Sequence, residues 1–121
     1  MSERNYHSKG VNLDASGGAI TDQVILTVPT GYKMVVTMFF MSNAGGSTTT
    51  VGAKWNDGAT IPFLGSKSLG AGDYIQFGGG DGLYMAMYEG DTISVSVASG
   101  GTCGLIVSYH LVRADGQKAL P

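Results

Sequence analysis

Eight short runs of strand-forming residues, separated by turns, constrain this chain more than any other feature. The turns place glycine beside proline or a short polar residue, as in Pro29-Thr30-Gly31 and Glu89-Gly90-Asp91, which is the chemistry of tight turns. No segment has a long enough helical period to compete. The sequence therefore predicts an all-β fold, an eight-stranded antiparallel β-sandwich or jelly roll with an N-terminal arm. The predicted strands are Ile20 to Val28, Lys33 to Ser42, Thr48 to Trp55, Thr60 to Leu64, Asp73 to Phe77, Leu83 to Tyr88, Thr92 to Ala98 and Gly104 to Val112.

The chain length of 121 residues suits one domain with short tails. Residues 1–18 are polar and without period, so they are predicted to form the arm outside the core. Residues 19–112 form the predicted sandwich domain, and residues 113–121 a polar C-terminal tail.

One predicted strand, residues 33–41 with the sequence KMVVTMFFM, is apolar on both of its faces. From Met34 to Met41, strict alternation puts four large apolar residues on one side and leaves Thr37 as the single polar residue on the other. The run LYMAMY, residues 83–88, behaves in the same way. An antiparallel sheet with no helix over it needs a second cover for such strands.

A neighbouring copy of the chain or another protein is the predicted cover, giving a homo-oligomer such as a trimer. A loop or the N-terminal arm of the same subunit is the alternative cover. The predicted oligomer interface contains Met34, Val36, Met38, Phe40, Tyr84 and Tyr88. The arm is predicted to contact a neighbour through Tyr6, His7, Val11 and Leu13.

The composition bears on the remaining classes of partner. A net charge of −2 and scattered basic residues argue against a nucleic acid partner. No apolar run approaches the length of a membrane span or of a secretory signal, so we expect a soluble protein made in the cytosol. The single cysteine, Cys103, lies in an apolar run and is expected to be a buried thiol.

The residues that carry chemistry do not form a catalytic pattern, and we expect neither an enzyme nor a cofactor. His7 and His110 have no acid or thiol at a spacing typical of a relay, and one cysteine with two distant histidines is a poor zinc set. Four carboxylates at turns are expected to serve backbone hydrogen bonding, with a calcium or acid/base site as the alternative; they are Asp73, Asp81, Glu89 and Asp91. A sugar-stacking platform is an alternative role for the aromatic residues Trp55, Tyr74, Phe77, Tyr84 and Tyr88.

Three segments carry a resemblance to a known group of proteins: LTVPTGYKMVVTMFFMSNAGGSTTTVGAKW, LGAGDYIQF and MYEGDTISVSVASGGTCGLIVSYHLV. Together they resemble small β-sandwich or jelly-roll structural proteins of tailed-bacteriophage virions, over roughly residues 26–112. The shared features are turn residues and strand alternation, and the N-terminal arm departs from the pattern.

The resemblance implies a binding role without catalytic residues. The implied protein is a capsid decoration (cement) subunit that stabilises the head, with the major capsid protein or other virion proteins as partners. The implied location is the virion, assembled in the host cytoplasm. A neck, tail or fibre component is an alternative, as is a carbohydrate-binding module for host adsorption.

Overall fold

A computed structural model describes residues 5–79 and 84–114 of the chain. These residues form nine β-strands, and the all-β prediction is confirmed. Their bounds are β1 (Asn5–Asp14), β2 (Ile20–Thr27), β3 (Tyr32–Asn43), β4 (Thr49–Asn56), β5 (Thr60–Leu69), β6 (Tyr74–Gly78), β7 (Met85–Met87), β8 (Thr92–Val97) and β9 (Thr102–Arg113).

Two antiparallel sheets pack face to face as a sandwich. The five-stranded sheet has the order β1-β9-β3-β6, with β7 also paired to β3, and the four-stranded sheet has the order β2-β8-β4-β5. β6 pairs with the second half of β3 and β7 with the first half, so together they occupy one edge position. Counted this way, eight strand positions form two layers of four, and their order within the layers is that of a jelly roll.

The core lies between the two sheets and is built from alternate residues of their central strands. β8 contributes Ile93, Val95 and Val97, and β9 contributes Cys103, Leu105 and Val107, all almost fully buried. This alternation is the pattern of a strand with one face in a core. Cys103 is a free thiol with no exposed surface, which confirms the expected buried cysteine.

The predicted N-terminal arm is wrong for residues 5–14, because they form β1 at the edge of the five-stranded sheet. β1 pairs with β9 over its whole length, from Asn5 opposite Leu111 to Asp14 opposite Thr102. Leu13 is buried in the core and Val11 packs against it. The strand is otherwise polar because its outer side faces solvent, which hides it from a search for apolar runs.

A β-bulge at Thr37 changes which residues of β3 face the core. Val36 pairs with Tyr109, yet Met38 and not Thr37 pairs with Ser108, so Thr37 is an extra residue in the strand. The Thr37 hydroxyl donates a hydrogen bond to the Ser108 carbonyl at 3.2 Å. Because one inserted residue reverses the alternation beyond it, the inward side holds Met34 and Val36 before the bulge and Phe39 and Met41 after it.

The bulge also marks the place where β6 leaves the edge of β3. The Gly79 N–H donates to the Thr37 carbonyl at 2.8 Å, and the Tyr84 N–H donates to the Val36 carbonyl at 2.9 Å. Gly78 has a φ of 75°, and a Cβ there would overlap the Thr37 carbonyl. Only glycine fits this close approach of two backbones.

Three strands differ from their predicted bounds by more than one residue at an end. β5 continues to Leu69 instead of ending at Leu64, β7 is shorter than predicted, and β9 is longer at both ends. Leu83 and the tail residues 115–121 lie outside the described residues. Residues 5–79 and 84–114 contain no helix that could cross a membrane.

Candidate interaction surface

The outward side of the five-stranded sheet carries an apolar cluster. The pairing registers place Phe40 of β3 beside Ile106 of β9, and Val35 beside Ala86 of β7. Five of the large side chains on this side are called the outer patch below: Val35, Met38, Phe40, Tyr74 and Ile106.

The outer patch is open to solvent in the isolated chain. Tyr74 is 62% exposed and Ile106 is 42% exposed, while Val35, Met38 and Phe40 are half-buried by their neighbours in the sheet. The rings of Phe40 and Tyr74 stack with their centroids 5.3 Å apart. The patch is thus already ordered by contacts within the sheet, which lowers the entropy cost of binding a partner.

Small and uncharged residues surround the outer patch. Gly10 of β1 and Gly104 of β9 lie on the same side, and Ser8 is hydrogen-bonded to Ser108 through their hydroxyls at 3.1 Å. Among the described residues of this side, Asp and Lys occur only at two opposite ends, which are called the charged corners below: Asp14 at the end of β1, and Lys33 near the end of β3, one strand inside β7. A centre without charge and a polar rim are typical of protein interfaces.

Two of the residues predicted for the oligomer interface lie in the chain's own core. Met34 and Val36 are 2% and 0% exposed, because they precede the bulge and face the opposite sheet. Met38 and Phe40 follow the bulge and face outward. The prediction of strict alternation placed all four together and is therefore wrong for Met34 and Val36.

Tyr84 and Tyr88 occupy different surroundings. Tyr84 stacks on Phe77 with ring centroids 5.6 Å apart, at the seam between the two sheets, and burial raises its pKa. Tyr88 is 56% exposed, and the Lys33 ammonium lies over its ring at 5.2 Å from the centroid. Tyr88 therefore lies at the rim of the outward side, whereas Tyr84 belongs to an aromatic cluster inside the sandwich.

The residues predicted to reach a neighbour through the arm are tied to their own subunit. The His7 ring stacks on Tyr109 of β9 at 5.2 Å between centroids. Leu13 is buried in the core and Val11 is packed against it. Tyr6 pairs through its backbone with His110. As strand residues of the sandwich, Val11 and Leu13 are not available to a neighbouring chain, which corrects the predicted arm contact.

The carboxylates at turns make the backbone hydrogen bonds expected of turn residues. Asp73 accepts from the Gly70 N–H at 3.2 Å, and Glu89 accepts from the Gly31 N–H at 2.9 Å. Asp91 is buried and accepts from the Tyr88 N–H at 3.0 Å and from the Trp55 indole N–H at 3.2 Å. Asp81 lies outside the described residues. In the part of the chain that the structure describes, no three His, Cys, Asp or Glu residues cluster to hold a metal.

The aromatic residues considered for sugar stacking do not form one platform. Phe77 and Tyr84 stack on each other at the seam of the sandwich, and Tyr74 stacks on Phe40 in the outer patch. Trp55 donates its indole N–H to Asp91. These rings therefore serve at least three separate sets of contacts.

The opposite outer side, on the four-stranded sheet, contains a shallow groove of about 400 Å³. The groove lies over Gly52, between residues 19–21 and residues 64–66. Beside it, the Lys54 ammonium pairs with the Asp22 carboxylate at 2.9 Å, and the Asp22 N–H donates to the Ser96 hydroxyl at 3.0 Å. Asp22 has a φ of 49° at an irregular point of β2, so these contacts hold the bulged strand on the sheet.

Sequence reasoning missed three members of the outer patch. Tyr74 was considered only for sugar stacking, while Ile106 and Val35 were not singled out. The available signal was the last strand, where residues 105–107 are apolar without interruption and so must point to both sides of a sheet. His110 is partly buried on the same outward side.

No family model matches the chain, and no curated protein matches it. One solved structure, titled "Crystal structure of PirA", matches over 85% of this chain and 92% of that chain, with 16% sequence identity and a TM-score of 0.43. A likeness of this size supports no statement about function, so the geometry of the outer patch has to carry it.

Proposed function

We propose that this chain is a structural subunit of a tailed-bacteriophage virion that binds neighbouring virion proteins through the outer patch. The observation that carries the proposal is the position of Met38 and Phe40, which project with Ile106 from the uncharged centre of a sheet face. The resemblance of the sequence to small virion proteins supplies the biological setting. The jelly-roll order of the strands agrees with it.

The physical argument for a binding role is the apolar area left in contact with water. Covering roughly 400 Å² of apolar surface would stabilise a complex by about 10 kcal/mol before the costs of association. The chain is poor in charge, at 13% charged residues, where a soluble domain typically has about a quarter. In a particle that covers this face, the apolar area is removed from water and the chain needs fewer charged residues to stay in solution. The role requires neither catalysis nor a cofactor.

Within the virion, we propose a decoration subunit on the head, which stabilises the shell through contacts with other subunits and the major capsid protein. The alternative is that the chain is a neck, tail or fibre component that uses the same surface for binding. Copy number in purified virions separates these locations, because a head coat requires hundreds of copies and a connector only a small ring.

The test is incorporation into particles, measured by quantitative mass spectrometry of virions purified after expression of tagged variants. We expect the wild-type chain and Thr50→Asp, an exposed change on the opposite sheet, to be incorporated equally. Phe40→Asp should fold, since its side chain lies outside the core, but should be lost from particles. Equal incorporation of Phe40→Asp and the wild-type chain would overturn the proposal.

A further inference from the structure

We infer that the occupant of the outer patch is a second copy of this chain, related by a two-fold axis with the two five-stranded sheets face to face. This inference rests on the proposed use of the outer patch for binding, and adds the partner and its orientation. Three observations carry it: the area of the face, the lack of charge at its centre, and the positions of its two charged corners.

The face is large enough for a stable dimer. Ten residues along β1 and β9 span about 34 Å, and four strand positions span about 19 Å, so the face covers roughly 650 Å². Two such faces would bury roughly 1,300 Å², which reaches the range of specific protein interfaces. A self-complementary pairing uses this whole area in both copies.

The centre of the face suits its own copy. Like charges meet when a charged surface packs on itself, but the outward residues at the centre are Ile106, Ser108, Met38 and Phe40, none of which carries a charge. The glycines Gly10 and Gly104 lie beside Ile106 and leave room for apolar side chains of a facing sheet. Apolar contact can therefore form without burying an unpaired charge.

The charged corners determine the orientation. Asp14 lies beside Thr102 at one end of β9, and Lys33 lies beside Val112 at the other end. β9 also lies between the strands that carry these two residues. The midpoint between the corners therefore falls on β9 near residue 107, between the outward residues Ile106 and Ser108. A two-fold axis that passes through this point, lies between the two sheets and is perpendicular to the line from Asp14 to Lys33 brings Asp14 of each copy to Lys33 of the other.

In the alternative orientation the strands of the two copies are parallel, so the same ends of both sheets meet. Asp14 and Lys33 then each face either a neutral residue or their own counterpart, which has the same charge. The antiparallel pairing forms two opposite-charge contacts and places Ile106 close to the axis. Such rim contacts contribute little affinity individually, but they select orientation.

Cross-linking tests the axis position. Ile106→Cys should form a covalent dimer with a short bismaleimide, whereas Tyr74→Cys, on the same face but far from the axis, should not. The native Cys103 is buried and gives no background in the folded chain. Efficient cross-linking at Tyr74→Cys with none at Ile106→Cys would overturn the orientation.

Charge exchange tests the pairing of the corners, with dissociation constants measured by sedimentation. Asp14→Lys or Lys33→Asp alone should weaken the dimer about tenfold, and the double variant should return to within about threefold of wild type. Additive weakening in the double variant would contradict the pairing. A wild-type monomer or trimer would overturn the dimer even if the chain enters virions, whereas a dimer that never enters virions would overturn only the proposed function.

Discussion

Phe39 and Phe40, adjacent in β3, contribute to two different surfaces of the molecule. Phe39 is fully buried and packs edge-on against Phe63 at 5.3 Å between ring centroids, inside the sandwich. Phe40 stacks on Tyr74 on the outward side of the sheet. The first ring holds the two sheets together, and the second is available to a partner.

Truncation of these two rings should separate stability from association. Phe39→Ala should lower the free energy of unfolding by about 3–5 kcal/mol, because it leaves a cavity in the core. Phe40→Ala should lower it by less than about 1 kcal/mol in the monomer, because most of what it loses is a surface stacking contact. Urea unfolding at low protein concentration measures both values. Equal losses would contradict the assignment of the two faces.

The bulge predicts the response of β3 to deletions. Removing Thr37 leaves every other residue of β3 on its present side, so the variant should fold with a loss of about 1–3 kcal/mol for the missing hydrogen bonds. Removing Phe40 instead turns Ser42 inward and Asn43 outward, and should prevent folding. Circular dichroism and thermal unfolding of the two deletion variants make the comparison. A folded Phe40 deletion with an unfolded Thr37 deletion would refute the register.

The buried carboxylate of Asp91 predicts a local effect that Trp55 can report. Asp91→Ala leaves the Trp55 indole N–H and the Tyr88 N–H, both in part-buried hydrogen bonds, without their acceptor, at a cost of about 1–3 kcal/mol in total. Asp91→Asn keeps one acceptor oxygen and should lose less. Trp55 is the single tryptophan, so its fluorescence during urea unfolding gives the measurement. Unchanged stability in Asp91→Ala would contradict this anchoring role.

The buried thiol predicts a loss of stability at alkaline pH. Burial raises the pKa of Cys103 above its ordinary value of 9.0, so the folded chain retains the proton that the unfolded chain releases. The resulting stability is present below about pH 9 and falls as the pH rises toward the folded-state pKa. Urea midpoints measured against pH should decline in this window for the wild-type chain and less steeply for Cys103→Ala. Parallel declines would contradict the assignment.

Much of the fold was predictable because each turn is determined by a few consecutive residues. Pairs such as Gly90-Asp91 mark corners that depend only on local backbone preferences. β1 was not predictable in this way, because an edge strand facing solvent needs few apolar residues, and only Val11 and Leu13 alternate into the core. Its partner β9 is separated from it by most of the chain.

The outer patch was half predictable. Residues 33–41 are apolar on both faces of the strand, which indicated a face that needs cover. The position of the single-residue bulge was not predictable, because it depends on long-range pairing with β9 and on the close approach of β6 at Gly78. Thr37, the one polar residue between Met34 and Met41, was the only local sign of it. Tyr74 and Ile106 join the patch through sheet register, which the sequence alone does not define.

The central claim is that the outer patch is covered by protein in the assembled particle, and methionine oxidation tests it most directly. Met38 lies in the patch, while Met34, Met41 and Met87 are buried in the core and serve as internal standards. With mild peroxide and mass spectrometry, Met38 should oxidise quickly in the dilute chain and become as slow as the standards in purified virions. Oxidation of Met38 at the same fast rate in virions and in the dilute chain would contradict the account.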